Sequence, residues 1–270
     1  MNNFSVIGNP INHSKSPLLF SHIFEKLNIN ASYKSILLND NQDLIKYINH
    51  CQKSNIKGIN ITMPFKEHCL SLVDKADQIS IHTKSINCLY FKNNQIIGYN
   101  NDYYGFEKLV EMNQIKTQNT NNIIIGSGAT ARTIIVFLIN QGAKNIYILS
   151  RNNQSAIKII KEFKGYTNNT NLKIFNKLND FKNCNLINCS PIGLSLYLDN
   201  TILNQVPNQY YESIIDINYS IKKNYFNFNT DNRVDGKSMF IYQALKSLDV
   251  WFESNISNKL DYKYLEKLLC

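Results

Sequence analysis

The chain has 270 residues, 43% hydrophobic and 18% charged, with a formal net charge of +9. That balance is too apolar for a disordered chain, and the length suits about two domains. No apolar run approaches the ~20 residues of a membrane span, and Met1-Asn2-Asn3-Phe4 carries no charged, apolar leader, so a cytoplasmic globular protein without a membrane partner is expected.

The lysines are scattered rather than clustered, so the basic balance predicts no nucleic-acid partner. Asn, Ile and Lys are abundant while Arg is scarce, a bias that raises Lys without any binding function. The six cysteines (Cys51, Cys69, Cys88, Cys184, Cys189 and Cys270) form no CxxC, and the histidines form no HExxH. Reduced thiols and no metal site are expected.

In chain order, residues 4–7 predict a strand ended by Gly8-Asn9-Pro10. Ser16-Pro17 predicts a helix start, with Ser16 at the N-cap and Pro17 at the first helical position, followed by Leu18, Leu19, Phe20, Ile23 and Leu27. Residues 33–38 read as a strand, 44–51 as a helix and 58–62 as a strand stopped by Pro64. Residues 86–90 and 95–99 read as a strand pair around the turn Asn93-Asn94. From Asp102 onward the pattern alternates. A helix at 104–112 is followed by strand 122–125, a helix from Ala129, strand 145–149 and helix 156–163. An Asn-rich loop at 166–171 precedes short strands at 186–188 and 214–217. Alternation of this kind implies a parallel sheet. Residues 238–252 carry Met239, Tyr242, Leu245 and Leu248 at helical spacing, a helix placed to return to the first domain.

The apolar strand ending at Ile125 runs into Gly126-Ser127-Gly128-Ala129-Thr130-Ala131 and then an apolar helix. The first glycine permits a tight turn, the second lets backbone approach a pyrophosphate, and Ala131 keeps helix and strand close. A dinucleotide site is one reading; an ordinary glycine turn between strand and helix is the other. The next strand ends in Ser150-Arg151, with no carboxylate for ribose hydroxyls and an arginine suited to a 2′-phosphate. Arg132 and Arg151 both flank the turn in a chain with three arginines, which favours NADP; a solvated strand-end charge is the alternative for Arg151.

Four polar clusters occupy the first domain: residues 12–17, 60–66, 85–87 and 100–102. Oxidising a secondary alcohol needs a base for the hydroxyl proton, and without zinc a Lys or His must serve. Lys66, set beyond a strand and a proline, and Asp102, at the domain junction, can share one proton; each taken alone reads first as a solvated surface charge.

The ordered set Gly8-Asn9-Pro10-Ile11-x-His13-Ser14-x-Ser16-Pro17, Asn60-Ile61-Thr62-x-Pro64-x-Lys66, Asn87 and Asn100-x-Asp102-x-x-Gly105 resembles the shikimate dehydrogenase family. The resemblance continues through the glycine turn, Ser150-Arg151, Asn188-Cys189-Ser190-Pro191-Ile192-Gly193, Asp216-x-x-Tyr219 and Gly236-x-x-Met239-x-x-x-Gln243, spanning nearly the whole chain. It implies an α/β fold: an N-terminal α/β substrate domain (1–101, completed by C-terminal helices in 237–270), a Rossmann-like doubly wound dinucleotide-binding domain (102–236), and a cleft between them. It implies NADP-dependent interconversion of 3-dehydroshikimate and shikimate, in the route to chorismate and aromatic amino acids, by a monomer or homodimer. Lys66 and Asp102 would be the catalytic pair. Ser14 and Ser16 would hold the substrate carboxylate, and Thr62, Asn87 and Gln243 its hydroxyls, with Tyr219 also facing it. Gly126, Ser127, Gly128, Ala129, Ser150 and Arg151 would bind the cofactor, with Gly236 and Met239 bordering its nicotinamide.

The chain departs from the family pattern in places. Ala129 stands where the family has a further glycine, Asn101 replaces a Thr, and Phe20 stands where His is common. Asn152-Asn153-Gln154 lacks the second phosphate-binding cation, and Ser220-Ile221 replaces Asn-Pro after Tyr219. These departures leave two alternatives open: a quinate/shikimate dehydrogenase using NAD, and a non-catalytic nucleotide-binding relic of the fold.

Overall fold

The computed structural model describes residues 1–176, 181–193, 201–219 and 226–269. Its contacts divide the chain into two units, one of Met1–Gly105 with Phe240–Cys270, the other of Phe106–Met239. The divisions fall inside helices rather than at their starts.

The first unit begins with β1 (Asn2–Gly8), α1 (Ser16–Lys26), β2 (Ala31–Leu37), α2 (Asn41–Gln52) and β3 (Ile56–Ile61). It continues with β4 (Lys75–Ala76), α3 (Gln78–Thr83), β5 (Cys88–Lys92), β6 (Gln95–Tyr99) and the start of α4 (Asn101–Met112). The strands form one mixed sheet in the order β2-β1-β3-β5-β6-β4. β1 runs parallel to β2 and β3, while β5 is antiparallel to both β3 and β6. The β5–β6 hairpin closes on Asn93 and Asn94, at φ 49° and 60°, a left-handed pair that asparagine tolerates better than most residues.

The second unit holds β7 (Asn121–Ile125), α5 (Ala129–Asn140), β8 (Asn145–Leu149), α6 (Asn153–Phe163) and β9 (Asn171–Ile174). β10 (Cys184–Asn188), β11 (Ser213–Asp216) and β12 (Arg233–Asp235) follow. All six strands are parallel, in the order β12-β11-β10-β7-β8-β9. The chain starts in the middle and winds outward both ways, so the switch point lies between β7 and β10, where open α/β sheets bind ligands at the strands' carboxyl ends. Ile123, Ile124 and Ile125 are fully buried, as a strand covered on both faces requires. α5 is mostly apolar and buried from Ala131 to Ile139, Arg132 and Thr133 included.

The last helices are α7 (Lys237–Phe252) and α8 (Tyr262–Lys267). Within the first unit, Trp251 of α7 stacks on Phe4 at 4.6 Å between ring centroids, and its indole N–H donates to the Leu89 carbonyl at 3.0 Å. That one side chain ties the C-terminal segment to β1 and β5.

Several local expectations need correction. Ser16 is the first helical residue of α1 rather than its cap; Lys15 stands at the N-cap and gives no side-chain cap, although Pro17 sits in the first turn as expected. Asn171 opens β9 rather than ending a loop. α3, β4, β12 and α8, none longer than six residues, are too short to show a period in sequence.

Candidate active site

In the first unit the carboxyl ends of β1 and β3 lie side by side. The Asn9 amide donates to the Met63 carbonyl at 2.9 Å, bringing the chain that leads to Ser14 and Ser16 beside Thr62 and Met63. Ser16 is buried and Ser14 half-buried, and the Ser16 N–H donates to Ser14 Oγ at 3.3 Å. After β3 the chain turns, with the Phe65 N–H donating to the Thr62 carbonyl at 3.1 Å. Phe65 plugs into the core formed with Ile59, Ile61, Ile86 and Leu89. That anchor fixes the backbone from which Lys66 projects.

Lys66 Nζ donates to Asp102 Oδ2 at 2.6 Å, and both side chains are mostly buried. Asp102 occupies the first turn of α4, where the helix dipole favours a carboxylate. Its other oxygen accepts from Asn87 Nδ2 at 2.8 Å, and the same amide reaches Gln243 Oε1 at 3.2 Å. Asn87 is oriented in turn because its Oδ1 accepts from the Asn101 backbone N–H at 2.7 Å. Lys66, Asp102, Asn87 and Gln243 therefore form one hydrogen-bonded set drawn from four chain segments.

A buried polar layer beneath this set was not visible in the sequence as a site. Ser247 Oγ accepts from Asn60 Nδ2 at 2.9 Å and from Asn101 Nδ2 at 3.0 Å, and donates to the Gln243 carbonyl. Tyr33 donates to Asn60 Oδ1 at 2.8 Å. Asn101, the departure from the family pattern, is thus used: its amide braces α4 against α7. The one available signal was Ser247 lying four residues beyond Gln243, on the same helix face.

In the second unit, Gly126 sits at φ +113°, a conformation other residues rarely adopt, and a Cβ there would lie 3.1 Å from the Cys189 carbonyl carbon and oxygen. Gly128 is the N-cap of α5, with no side-chain cap and nothing within 4 Å of where a Cβ would stand. The first N–H groups of a twelve-residue helix thus lack the usual side-chain acceptor, a fit to a pyrophosphate. Ser127 and Ser150 are joined through their hydroxyls at 2.8 Å, linking the turn to the end of β8. α6 contrasts with α5: Asn152 caps it, accepting from the Gln154 and Ser155 amides. The start of α6 is closed by its own side chain, and Arg151, just beyond the end of β8, is exposed. Arg132 does not flank the site. Its side chain is buried in α5 and paired with Glu162 at 2.6 Å.

Ala129 begins α5, and Met239 lies buried in the first turn of α7. Gly236 precedes α7, and a Cβ there would collide with the Ile217 carbonyl oxygen. Tyr219 is half-buried; Ser220 and Ile221, which follow it, lie outside the described residues, as does Cys270.

An all-parallel, doubly wound sheet with an uncapped helix after its first strand, together with a unit that gathers a lysine–carboxylate pair at its strand ends, defines a two-unit α/β protein of the nucleotide-binding class. The chain matches the family model described as shikimate dehydrogenase substrate binding domain over residues 6–89, and that described as shikimate / quinate 5-dehydrogenase over residues 108–219. A shikimate dehydrogenase (NADP(+)) from Clostridium botulinum (strain Loch Maree / Type A3) is 33% identical over 256 residues, covering 91% of this chain and 95% of the relative. The crystal structure of shikimate dehydrogenase from Aquifex aeolicus shares the fold, with a TM-score of 0.83 at 24% identity, covering 100% of this chain and 97% of that one. Shikimate 5-dehydrogenase from Thermus thermophilus, solved in complex with NADP(H) and shikimate, gives a TM-score of 0.79 at 19% identity, covering 100% and 98%. The chain belongs to the shikimate dehydrogenase family.

Proposed function

We propose that this protein interconverts 3-dehydroshikimate and shikimate with NADP, as a step toward chorismate and the aromatic amino acids. The observation that carries the reading is the Lys66–Asp102 pair at 2.6 Å, held by Asn87 at the strand ends of the first unit. Residues 1–101 with 237–270 would hold the substrate, and residues 102–236 the cofactor. The substrate-binding-domain match over residues 6–89 and the glycine turn at 126–128 support that division.

The Ser14 and Ser16 hydroxyls, at the start of α1, suit an acid's carboxylate. Thr62, Asn87 and Gln243 offer a hydroxyl and two amides to a polyol ring, and Tyr219 a phenol. In the oxidation direction the alcohol loses a proton from oxygen and a hydride from carbon, leaving a carbonyl. Bound NADP supplies the hydride chemistry. Lys66 Nζ passes one proton to Asp102 Oδ2 and, as the neutral amine, takes the hydroxyl proton, while Asn87 keeps the carboxylate aimed at the amine; the reverse reaction returns both protons along the same path. Gly126, Ser127, Gly128 and Ala129 would cradle the pyrophosphate, Ser150 and Arg151 the 2′-phosphate, and Gly236 and Met239 would border the nicotinamide.

The test is the initial rate at the nicotinamide absorbance band with shikimate or quinate, each with NADP+ and NAD+. Turnover of shikimate with NADP+ well above the other three combinations is expected. Equal rates with NAD+ overturn the cofactor assignment, and faster turnover of quinate overturns the substrate assignment.

A further inference from the structure

Asp216, at the carboxyl end of β11, belongs to none of the roles above. Its Oδ1 accepts three donors: the Asn218 N–H at 3.1 Å, Asn218 Nδ2 at 3.0 Å and Asn188 Nδ2 at 3.0 Å. Two amides are thereby forced to point their NH2 groups at one oxygen. Asn188 must then present its own oxygen the other way, where it accepts from the Ser190 N–H at 3.0 Å and the Ser190 hydroxyl at 2.6 Å. Asn218 Nδ2 also reaches the carbonyls of Ser190 and Ile192, at 3.0 and 3.2 Å. The backbone so held is the one packed on the glycine turn: a Cβ on Gly126 would meet Cys189 C and O at 3.1 Å and Ser190 N at 3.2 Å.

We propose that Asp216 is a positioning residue for the cofactor: through Asn188 and Asn218 its carboxylate fixes the Ser190–Ile192 backbone against the Gly126 turn. The inference rests on the proposed NADP-binding role of that turn.

The electrostatics around Asp216 give the assignment a pH dependence that can be measured. Burial pushes its carboxyl up from 3.8 to about 6, against the lowering effect of Asn218 and Asn188, and Asp235 on the neighbouring strand raises it further. Asp235 is itself paired with Lys237, and the thiol of half-buried Cys189 is pushed up by desolvation and by Asp216. Because the folded pKa is raised, the fold favours the protonated form between 3.8 and about 6, and ionised Asp216 lowers stability above that range.

The experiment compares the full chain with Asp216→Asn and Asp216→Ala by calorimetric NADP+ binding, by the thermal midpoint without cofactor, and by steady-state kinetics. Loss of a charge-assisted anchor is expected to weaken NADP+ binding about tenfold or more, with the KM for shikimate nearly unchanged. Asp216→Asn is expected to match or exceed the parent's midpoint at pH 7.5. The parent's affinity for NADP+ is expected to fall more steeply below about pH 6 than that of Asp216→Asn. The 2′-phosphate titrates in the same range, and the Asn variant carries that contribution alone. Unchanged NADP+ affinity in Asp216→Asn overturns the inference, as does a lowered midpoint accompanied by equal losses of cofactor and shikimate affinity. If Asp216→Ala does not fold, the Asn variant decides. A parent chain that turns over shikimate but binds NAD+ and NADP+ alike refutes the cofactor reading while leaving the Asp216 test to be scored on either dinucleotide. A parent that binds neither refutes both.

Discussion

The two units solve opposite problems at their strand ends. In the first, Lys66, Asp102, Asn87 and Gln243 already satisfy one another, and a second layer of Asn60, Asn101 and Ser247 holds them from below. In the second, the start of α5 is left without a side-chain cap, and nothing lies within 4 Å of where a Gly128 Cβ would stand. Moving a proton demands groups whose directions are fixed beforehand, because a misplaced donor loses most of its effect. Holding a dinucleotide demands unpaired backbone donors and room, since any side chain there would occupy the anion's place. The first unit therefore gathers polar side chains into one set, whereas the start of α5 in the second is left without a capping side chain.

The comparison can be broken most severely at the carboxylate. Asp102→Ala removes the acceptor for both Lys66 and Asn87, and kcat is expected to fall roughly 10²- to 10⁴-fold, the usual range for a general acid–base group. The KM for NADP+ should stay within error in the same steady-state runs. A large change in cofactor KM would show that the polar set is not confined to the substrate.

A smaller break is expected on the other side. Arg151→Gln should weaken NADP+ binding about ten- to a hundredfold while leaving NAD+ binding nearly unchanged, since α6 is already capped by Asn152 and offers the 2′-phosphate little else. Calorimetry with both dinucleotides checks this. Gln243→Ala should raise the KM for shikimate by about tenfold, the cost of one hydrogen bond to a polar ligand, with kcat less affected. The smallest effect belongs to Asn94→Ala, which puts a less tolerant residue at φ 60° and should cost about 1 kcal/mol in thermal or denaturant unfolding, with no change in either KM.

The same contrast explains what was legible in the sequence. The second unit's first strand and turn follow from local pattern: Ile123–Ile125 reads as a buried strand and Gly126-x-Gly128 as a turn with a stated physical reason, whereas the strand order comes from the structure. A backbone site is written locally, so a local pattern reveals it. The first unit's site is assembled from residues 66, 87, 102 and 243, and no local period connects them. Chemistry alone nominated Lys66 and Asp102; Asn87 and Gln243 came only from the family resemblance. Ser247 and the bracing role of Asn101 came from neither, because a small buried hydroxyl and one more asparagine in an Asn-rich chain carry no signal of their own. Arg132 shows the converse error. Its position beside the glycine turn suggested phosphate, but a helix buried on all sides turned it toward Glu162.

The central claim is that the preassembled set, and Lys66 in particular, carries the proton while the glycine turn only holds the cofactor. The most direct measurement is the rate of shikimate oxidation with NADP+ for the parent and Lys66→Ala, with NADP+ affinity determined calorimetrically on the same samples. The parent is expected to turn over, and the variant to lose roughly 10²-fold or more in kcat with unchanged NADP+ affinity. A variant that keeps the parent's kcat would contradict the account.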